Sequence, residues 1–272
     1  MSLRAVDATG VAHEKAGAGA RIVSLVPSIT ELLFALGLER QIVGRTGFCV
    51  HPRDGVRNVP KVGGTKAVNV EAIRALQPTH LIVNIDENER GTVEQLRTFV
   101  PHVVVTHPQT PHDNLSLYAL LGAIFDREKE AQHLAAMLEA RLHEAASRAF
   151  AAQNVLYLIW REPWMTVARD TYISAMLRLV NWHTLPDVQG GSAGAGRYPA
   201  FDFDRSPWLA GVDRILLSSE PYRFTQAHCD ALKRDPRVAG KRIELIDGEM
   251  VSWYGVRAIE GIAYLVKQAA AA

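Results

Sequence analysis

The stretch DREKEAQHLAAMLEARLHEAASRAFAAQ, Asp126 to Gln153, decides the fold. It holds no Gly and no Pro, and Leu134, Met137, Leu138 and Leu142 recur at three- and four-residue steps, which puts them on one buried face of an α-helix. Glu130, His133, Glu139, Arg141, Glu144 and Arg148 take the other face. At a rise of about 1.5 Å per residue the helix spans about 40 Å, the breadth of a domain. A helix that long is expected to act as a strut between two bodies.

On either side of it, apolar runs alternate with short helical segments. Before it come Ile22 to Val26, Ile42 to Gly44, His80 to Asn84 and Val103 to Val105 as strands, with helices over Ile29 to Leu36, Val70 to Leu76 and Thr92 to Phe99. Ser28 and Glu31 have the spacing of a capping box for the first helix. After it come strands over Val155 to Trp160, Ile215 to Leu217 and Ile243 to Ile246. Trp164 to Val167 is read as extended, and Tyr172 to Val180, Gln226 to Arg234 and Gly255 to Ala271 as helices. This rhythm predicts an α/β fold of two lobes with mostly parallel sheets, joined once through the helix. The expected organisation is a disordered or artificial leader over residues 1–20, an N-terminal lobe over 21–125, the connecting helix over 126–153 and a C-terminal lobe over 154–272.

Composition narrows the function. With 272 residues the chain can bury a large core, and 30 Lys plus Arg against 29 Asp plus Glu leave a formal charge of +1, so no polybasic footprint points to nucleic acid. No apolar run reaches the length of a membrane span, and Met1 to Ala20 has no apolar signal-peptide region. The two cysteines, Cys49 and Cys229, stand in opposite halves and are expected to be free thiols.

Enzyme signatures are scarce. There is no phosphate-binding Gly-Lys loop and no nucleophile elbow, and Gly190 to Gly196 follows a helix, which suits a flexible loop. His102, His107 and His112 are spaced five apart and do not share a helix face, so surface histidines are expected and no metal site. Cys49 with His51 is the one pair with the chemistry of a nucleophile and base. In open parallel sheets ligands gather beyond the carboxyl ends of strands. The loops there carry Phe48, Trp160, Trp164, Tyr222, Phe224, Trp253 and Tyr254, flat rings suited to a large planar or amphipathic ligand.

Arg21-Ile22-Val23-Ser24-Leu25-Val26-Pro27-Ser28-Ile29-Thr30-Glu31, the turn Val62-Gly63-Gly64-Thr65, then Asn69-Val70-Glu71-Ala72-Ile73 and Leu76-Gln77-Pro78 resemble the solute-binding proteins with a single hinge helix. These are the binding components of ABC importers for cobalamin, haem and ferric siderophores. Trp160-Arg161-Glu162-Pro163-Trp164, Ser219-Glu220-Pro221-Tyr222 and Asp247 to Gly255 look like the cobalamin-binding subgroup. The resemblance implies two Rossmann-like lobes, a permease partner met by acidic residues at Glu71 and Asp204, and a periplasmic location. The absence of a signal peptide leaves a cytoplasmic location open. Where the subgroup carries a Trp after the sheet turn, this chain has Gly64-Thr65, so stacking from that side falls to Phe48.

The expectation is therefore a monomeric, non-catalytic binding protein with no intrinsic cofactor, holding a metal chelate such as cobalamin, haem or a ferric siderophore, a corrinoid first among them. Phe48, Trp164, Trp253 and Tyr254 would wall the ligand, Lys66, Asn84, Arg161, Glu220 and Tyr222 would contact its polar groups, and His51 would reach the metal's axial position. The rival is a cytoplasmic enzyme or chelatase-like protein on the same scaffold, working through Cys49 and His51.

Overall fold

The computed structural model describes residues 5–271 as two units. In chain order the first unit contains β1 (Ala5–Val6), β2 (Ala12–His13), β3 (Ile22–Ser24), α1 (Pro27–Ala35), β4 (Ile42–Arg45), α2 (Arg53–Val56), α3 (Val70–Ala75), β5 (His80–Asn84), α4 (Arg90–Arg97), β6 (His102–Thr106) and α5 (Asp113–Phe125). Helix α6 (Glu128–Ala146) carries the chain from one unit into the other, the division falling between Leu138 and Glu139. The second unit contains β7 (Gln153–Leu158), β8 (Trp164–Met165), α7 (Tyr172–Arg178), β9 (Trp182–Thr184), β10 (Ala200–Phe201), β11 (Arg214–Ser218), α8 (Gln226–Lys233), β12 (Arg242–Ile246), α9 (Gly248–Ser252) and most of α10 (Arg257–Ala270).

Each unit is built on a four-stranded parallel sheet, in the order β4-β3-β5-β6 in the first and β12-β11-β7-β9 in the second. The sequence dictates this through strands apolar on both faces. All five residues of β5 and all five of β11 are buried, as a parallel sheet covered by helices on both sides requires. Val23, Leu81, Val83 and Val103 pack with Ile73 of α3 and Leu96 of α4, and each such side chain stabilises the unit by about 2 kcal/mol through burial. In α10, Ala258, Ile259, Ile262, Leu265 and Val266 form the buried stripe of an amphipathic helix.

The structure corrects the sequence reading in four places. Residues 5–20 are not a disordered leader. β1 and β2 form a hairpin, Ala8 N–H donates to Val105 O at 3.0 Å, and Val105 N–H donates to the Asp7 carboxylate at 3.0 Å, so the segment straps the edge strand β6. Residues 1–4 lie outside the described residues.

The long helix is 19 residues rather than 28, about 28 Å. Asp126 adopts a left-handed conformation (φ 58°, ψ 48°) that ends α5 and separates it from α6. Ala131, Leu134, Leu138, Leu142 and Ala145 make the buried stripe, while Met137 is 43% exposed.

Ser28 and Glu31 form no capping box. Val26 is the N-cap with Pro27 in the first turn, and Glu31 pairs instead with Arg257 at 2.5 and 3.0 Å. Helix α5 lies where the sequence reading places no element, because it is strongly apolar and shows no amphipathic period.

Candidate functional site

In the first unit the loops beyond the carboxyl ends of β3, β4, β5 and β6 bring together Phe48, His51, the turn Gly63 to Ala67, and residues 84–88. Gly47 N–H donates to Gly63 O at 2.7 Å and Gly64 N–H to Ala67 O at 2.8 Å, which fixes two loops side by side. Phe48 is 63% exposed, and a Cβ at Gly64 would lie 3.3 Å from its ring. The missing side chain at Gly64 is what lets the ring lie over the turn. Lys66 is exposed on that turn, and His51 is half-buried at the end of the Phe48 loop, before a cis peptide to Pro52.

Three of the expected ligand residues are buried and hydrogen-bonded within their own units. Asn84 is 3% exposed and braces the 84–88 loop: its Oδ1 accepts from Asp86 N–H at 2.8 Å and its N–H donates to Asn88 Oδ1 at 2.9 Å. Tyr254 is 6% exposed and donates its hydroxyl to Glu87 at 2.6 Å; burial, then the Glu87 carboxylate, raises the phenol well above its usual range and keeps it a donor. Trp253 is 7% exposed, with its indole N–H on Glu220 at 2.7 Å.

In the second unit the corresponding loops follow β7, β11 and β12. Trp160 is 40% exposed and meets Tyr222 edge to face, ring centres 5.6 Å apart. Tyr222 in turn packs on Phe224 at 4.7 Å. Trp164 is half-buried, stacked on Phe224 and edge-on to Phe203, with the Arg161 guanidinium 5.8 Å above it. The strand pair behind them is β8 with β10, antiparallel. Trp160 follows closely on β7, at the carboxyl end of that strand.

Glu220, expected as a ligand contact, accepts from Ser252 Oγ at 2.6 Å as well as from Trp253. Burial raises its carboxyl above the usual range, and these two bonds offset that only in part. Its carboxylate is therefore already engaged within its own unit.

Cys49 lies with 0% exposure between the Thr30 and Thr46 hydroxyls, each 3.1 Å from its sulfur, and burial pushes its thiol up. A nucleophilic cysteine needs the opposite shift and access. Cys229 is buried as well, and both thiols are free. His102 and His107 stand at opposite ends of β6, about 17 Å of strand apart, and no group of His, Cys, Asp and Glu among the described residues is arranged to hold a metal. His102 stacks on His80 at 4.7 Å, and His107 lies 3.5 Å from Asp86.

The two acidic surface candidates differ in environment. Glu71 opens α3 with 80% of its side chain exposed, 3.6 Å from Arg74. Asp204 is 70% exposed and bound by Arg237 at 2.9 Å, with Arg237 also held by Asp235. It borders an open groove of about 540 Å³ lined also by Pro207, Leu209 and Lys241. No helix among the described residues is long and apolar enough to cross a membrane.

Comparison with solved structures supports the fold. The periplasmic vitamin B12 binding protein BtuF of Vibrio cholerae aligns over 92% of this chain and 96% of its own at 18% identity, TM-score 0.73. Staphylococcus aureus IsdE complexed with heme aligns at 19% identity over 92% of this chain and 98% of its own, TM-score 0.74. In sequence, the uncharacterized ABC transporter substrate-binding lipoprotein YvrC of Bacillus subtilis is 24% identical over 91% of this chain and 79% of its own length. The vitamin B12-binding protein of Pectobacterium carotovorum is 22% identical over 58% of this chain, and the match takes in 59% of that relative. The family described as periplasmic binding protein matches residues 22–196, well over half of the sequence. With that match, and with a parallel sheet in each unit, this chain belongs to the periplasmic binding protein family.

Proposed function

We propose that the chain is the capturing component of an ABC importer and that its cargo is a metal chelate, a corrinoid before haem or a ferric siderophore. The observation that carries this reading is the exposed aromatic side chain beyond the strand ends in each unit, Phe48 in the first, against the turn that carries Lys66, and Trp160 in the second, next in sequence to Arg161. Broad rings of this kind suit a large, mostly apolar ligand with a few polar groups. Relatives and solved neighbours whose names give vitamin B12 or haem support the ligand class.

In this reading Phe48, Trp160 and Tyr222 contact the ligand's faces, Lys66 and Arg161 its acidic or amide groups, and His51 approaches the metal. The chelate is cargo and not a resident group, and no bond in it is broken. Burial and the raised thiol of Cys49 favour this over the enzyme reading. Glu71 and Asp204 meet the permease, and the protein works as a monomer on the outer side of the membrane.

The test is quenching of tryptophan fluorescence by cobalamin, cobinamide, haem and a ferric siderophore, corrected for each ligand's absorbance. Saturable one-to-one quenching by one of them is expected. Phe48→Ala and Trp160→Ala should each weaken it about tenfold, the size of one lost ring contact of about 1.4 kcal/mol. Absence of saturable quenching by all four would overturn the proposal.

A further inference from the structure

We infer that the Tyr222 hydroxyl is a dedicated hydrogen-bond donor to an acceptor oxygen of the ligand, of the carboxamide or carboxylate kind, and that His228 of α8 is the positioning residue that fixes it in that role. This role rests on the proposed function, in which Tyr222 meets the ligand. All the residues involved lie in the second unit.

His228 is held from two sides. As the third residue of α8 it closes a reciprocal capping box with Thr225, its Nδ1 accepting from Thr225 N–H at 2.9 Å. Its ring meets Tyr222 and Phe224 edge to face, each with 5.6 Å between centres. Phe224 is buried in the core of the unit, so the imidazole is braced by the helix start on one side and by the core on the other.

A backbone N–H can only donate, so Nδ1 is the acceptor, and a neutral imidazole held this way carries its hydrogen on Nε2. Nε2 lies 3.4 Å from the Tyr222 oxygen. The imidazole therefore donates to the phenol, whose own hydrogen is left to donate elsewhere. Among the described residues no other group bonds that hydroxyl. Tyr222 is half-buried and edge-on to the exposed Trp160. Its loop is pinned by two backbone bonds, Tyr222 N–H to Ile159 O and Phe224 N–H to Ser218 O, each at 3.3 Å. A phenol fixed like this presents its hydrogen to a ligand, which suits carboxamide or carboxylate oxygens at the edge of a chelate.

The test titrates Tyr222→Phe, His228→Gln and the double variant with cobalamin, cobinamide, haem and a ferric siderophore, read by tryptophan fluorescence. Glutamine is itself a capping-box residue at this position, so His228→Gln keeps the helix start and removes the imidazole. For the compound that binds the parent, Tyr222→Phe should weaken affinity about fivefold, the loss of one hydrogen bond, and His228→Gln about threefold. The double variant should bind no more weakly than Tyr222→Phe alone, because both changes act through one hydroxyl. Unchanged affinity in His228→Gln, or losses that add, would overturn the positioning role. Saturable binding by the parent that Tyr222→Phe leaves unchanged would overturn the donor role alone. No saturable binding by the parent would overturn the proposed function and the donor role with it. In the free protein, nitrogen NMR of the imidazoles should show His228 in the Nε2-protonated tautomer, with the Nε2 resonance moved by Tyr222→Phe. The Nδ1-protonated tautomer would overturn the assignment of donor and acceptor, whether or not His228→Gln folds.

Discussion

His80 opens β5 as a buried imidazole between the stacked ring of His102 and the edge of Phe125, with its Nδ1 2.8 Å from the Thr79 hydroxyl. Burial first, then the neighbouring His102 and His13, lowers its pKa from 6.5 to about 4. Between those values the unfolded chain binds a proton that the folded chain does not, so stability rises with pH through this window and is lost on acidification. The contribution is at most about 3 kcal/mol. Urea denaturation at pH 7 and pH 4 should show His80→Gln losing less stability on acidification than the parent; equal losses would show that the imidazole is not the cause. Glu220 runs the other way. Its raised carboxyl costs stability as pH rises through and above the ordinary glutamate range, and Glu220→Gln, which keeps an acceptor for the Trp253 indole, should remove that dependence. These two residues show why the site was only half legible in sequence. A Glu, Asn or Trp at a strand end has the same letter whether it faces solvent or braces a loop. Glu220, Trp253 and Tyr254 are held by partners distant in sequence, Glu87 for Tyr254 being 167 residues away, while Asn84 bonds Asp86 and Asn88 within its own loop.

At the scale of elements, two close fits deserve testing. The Asp7 carboxylate accepts from the backbone N–H groups of Thr9, Val11 and Val105 and lies 3.0 Å from His13 Nε2, so one side chain fastens the hairpin β1–β2 to the edge of the first sheet. Asp7→Ala leaves buried donors unpaired and is expected to cost about 3 kcal/mol in urea denaturation and to expose residues 14–20 to protease. Gly122 of α5 is packed against α6, where a Cβ would stand 2.7 Å from Ala131 Cβ and 3.1 Å from Arg127 O. Gly122→Ala should therefore destabilise by about 1–3 kcal/mol, against the gain of up to about 1 kcal/mol that alanine gives an open helix. A stabilised variant would mean that the helices part without cost. The strands and amphipathic helices were legible because period two, period 3.6 and continuous apolar runs are local signals. The hairpin strap, the break at Asp126 and the all-apolar α5 were not, since each depends on a partner far along the chain or on a burial that erases the period.

For the molecule as a whole, the proposed function divides into capture and delivery, which rest on different residues. Under the proposed function, capture falls to Phe48, Trp160, Tyr222, Lys66 and Arg161, and delivery to Glu71 and Asp204. The two carboxylates start from different states. Glu71 is loosely paired to Arg74 at 3.6 Å, a surface contact worth under about 1 kcal/mol and readily exchanged for an arginine of a permease. Asp204 is already bound by Arg237, so a permease arginine has to compete with it or share it. Loss of Glu71 should consequently be felt more than loss of Asp204. In cells lacking the native chain, uptake of labelled chelate with Glu71→Gln is expected to fall about tenfold, and with Asp204→Asn by less, the equivalent of about 1.4 kcal/mol or under per docking contact. Ligand affinity of both purified variants should stay within about twofold of the parent, since a remote surface charge alters neither ring contacts nor rim cations. Raised salt should weaken docking in the parent more than in Glu71→Gln, because exposed charges are screened and the variant has one fewer to screen. Equal uptake by parent and variants would remove these carboxylates from delivery while leaving capture untouched. A parallel fall in affinity and uptake would instead mean that the two carboxylates belong to the ligand site.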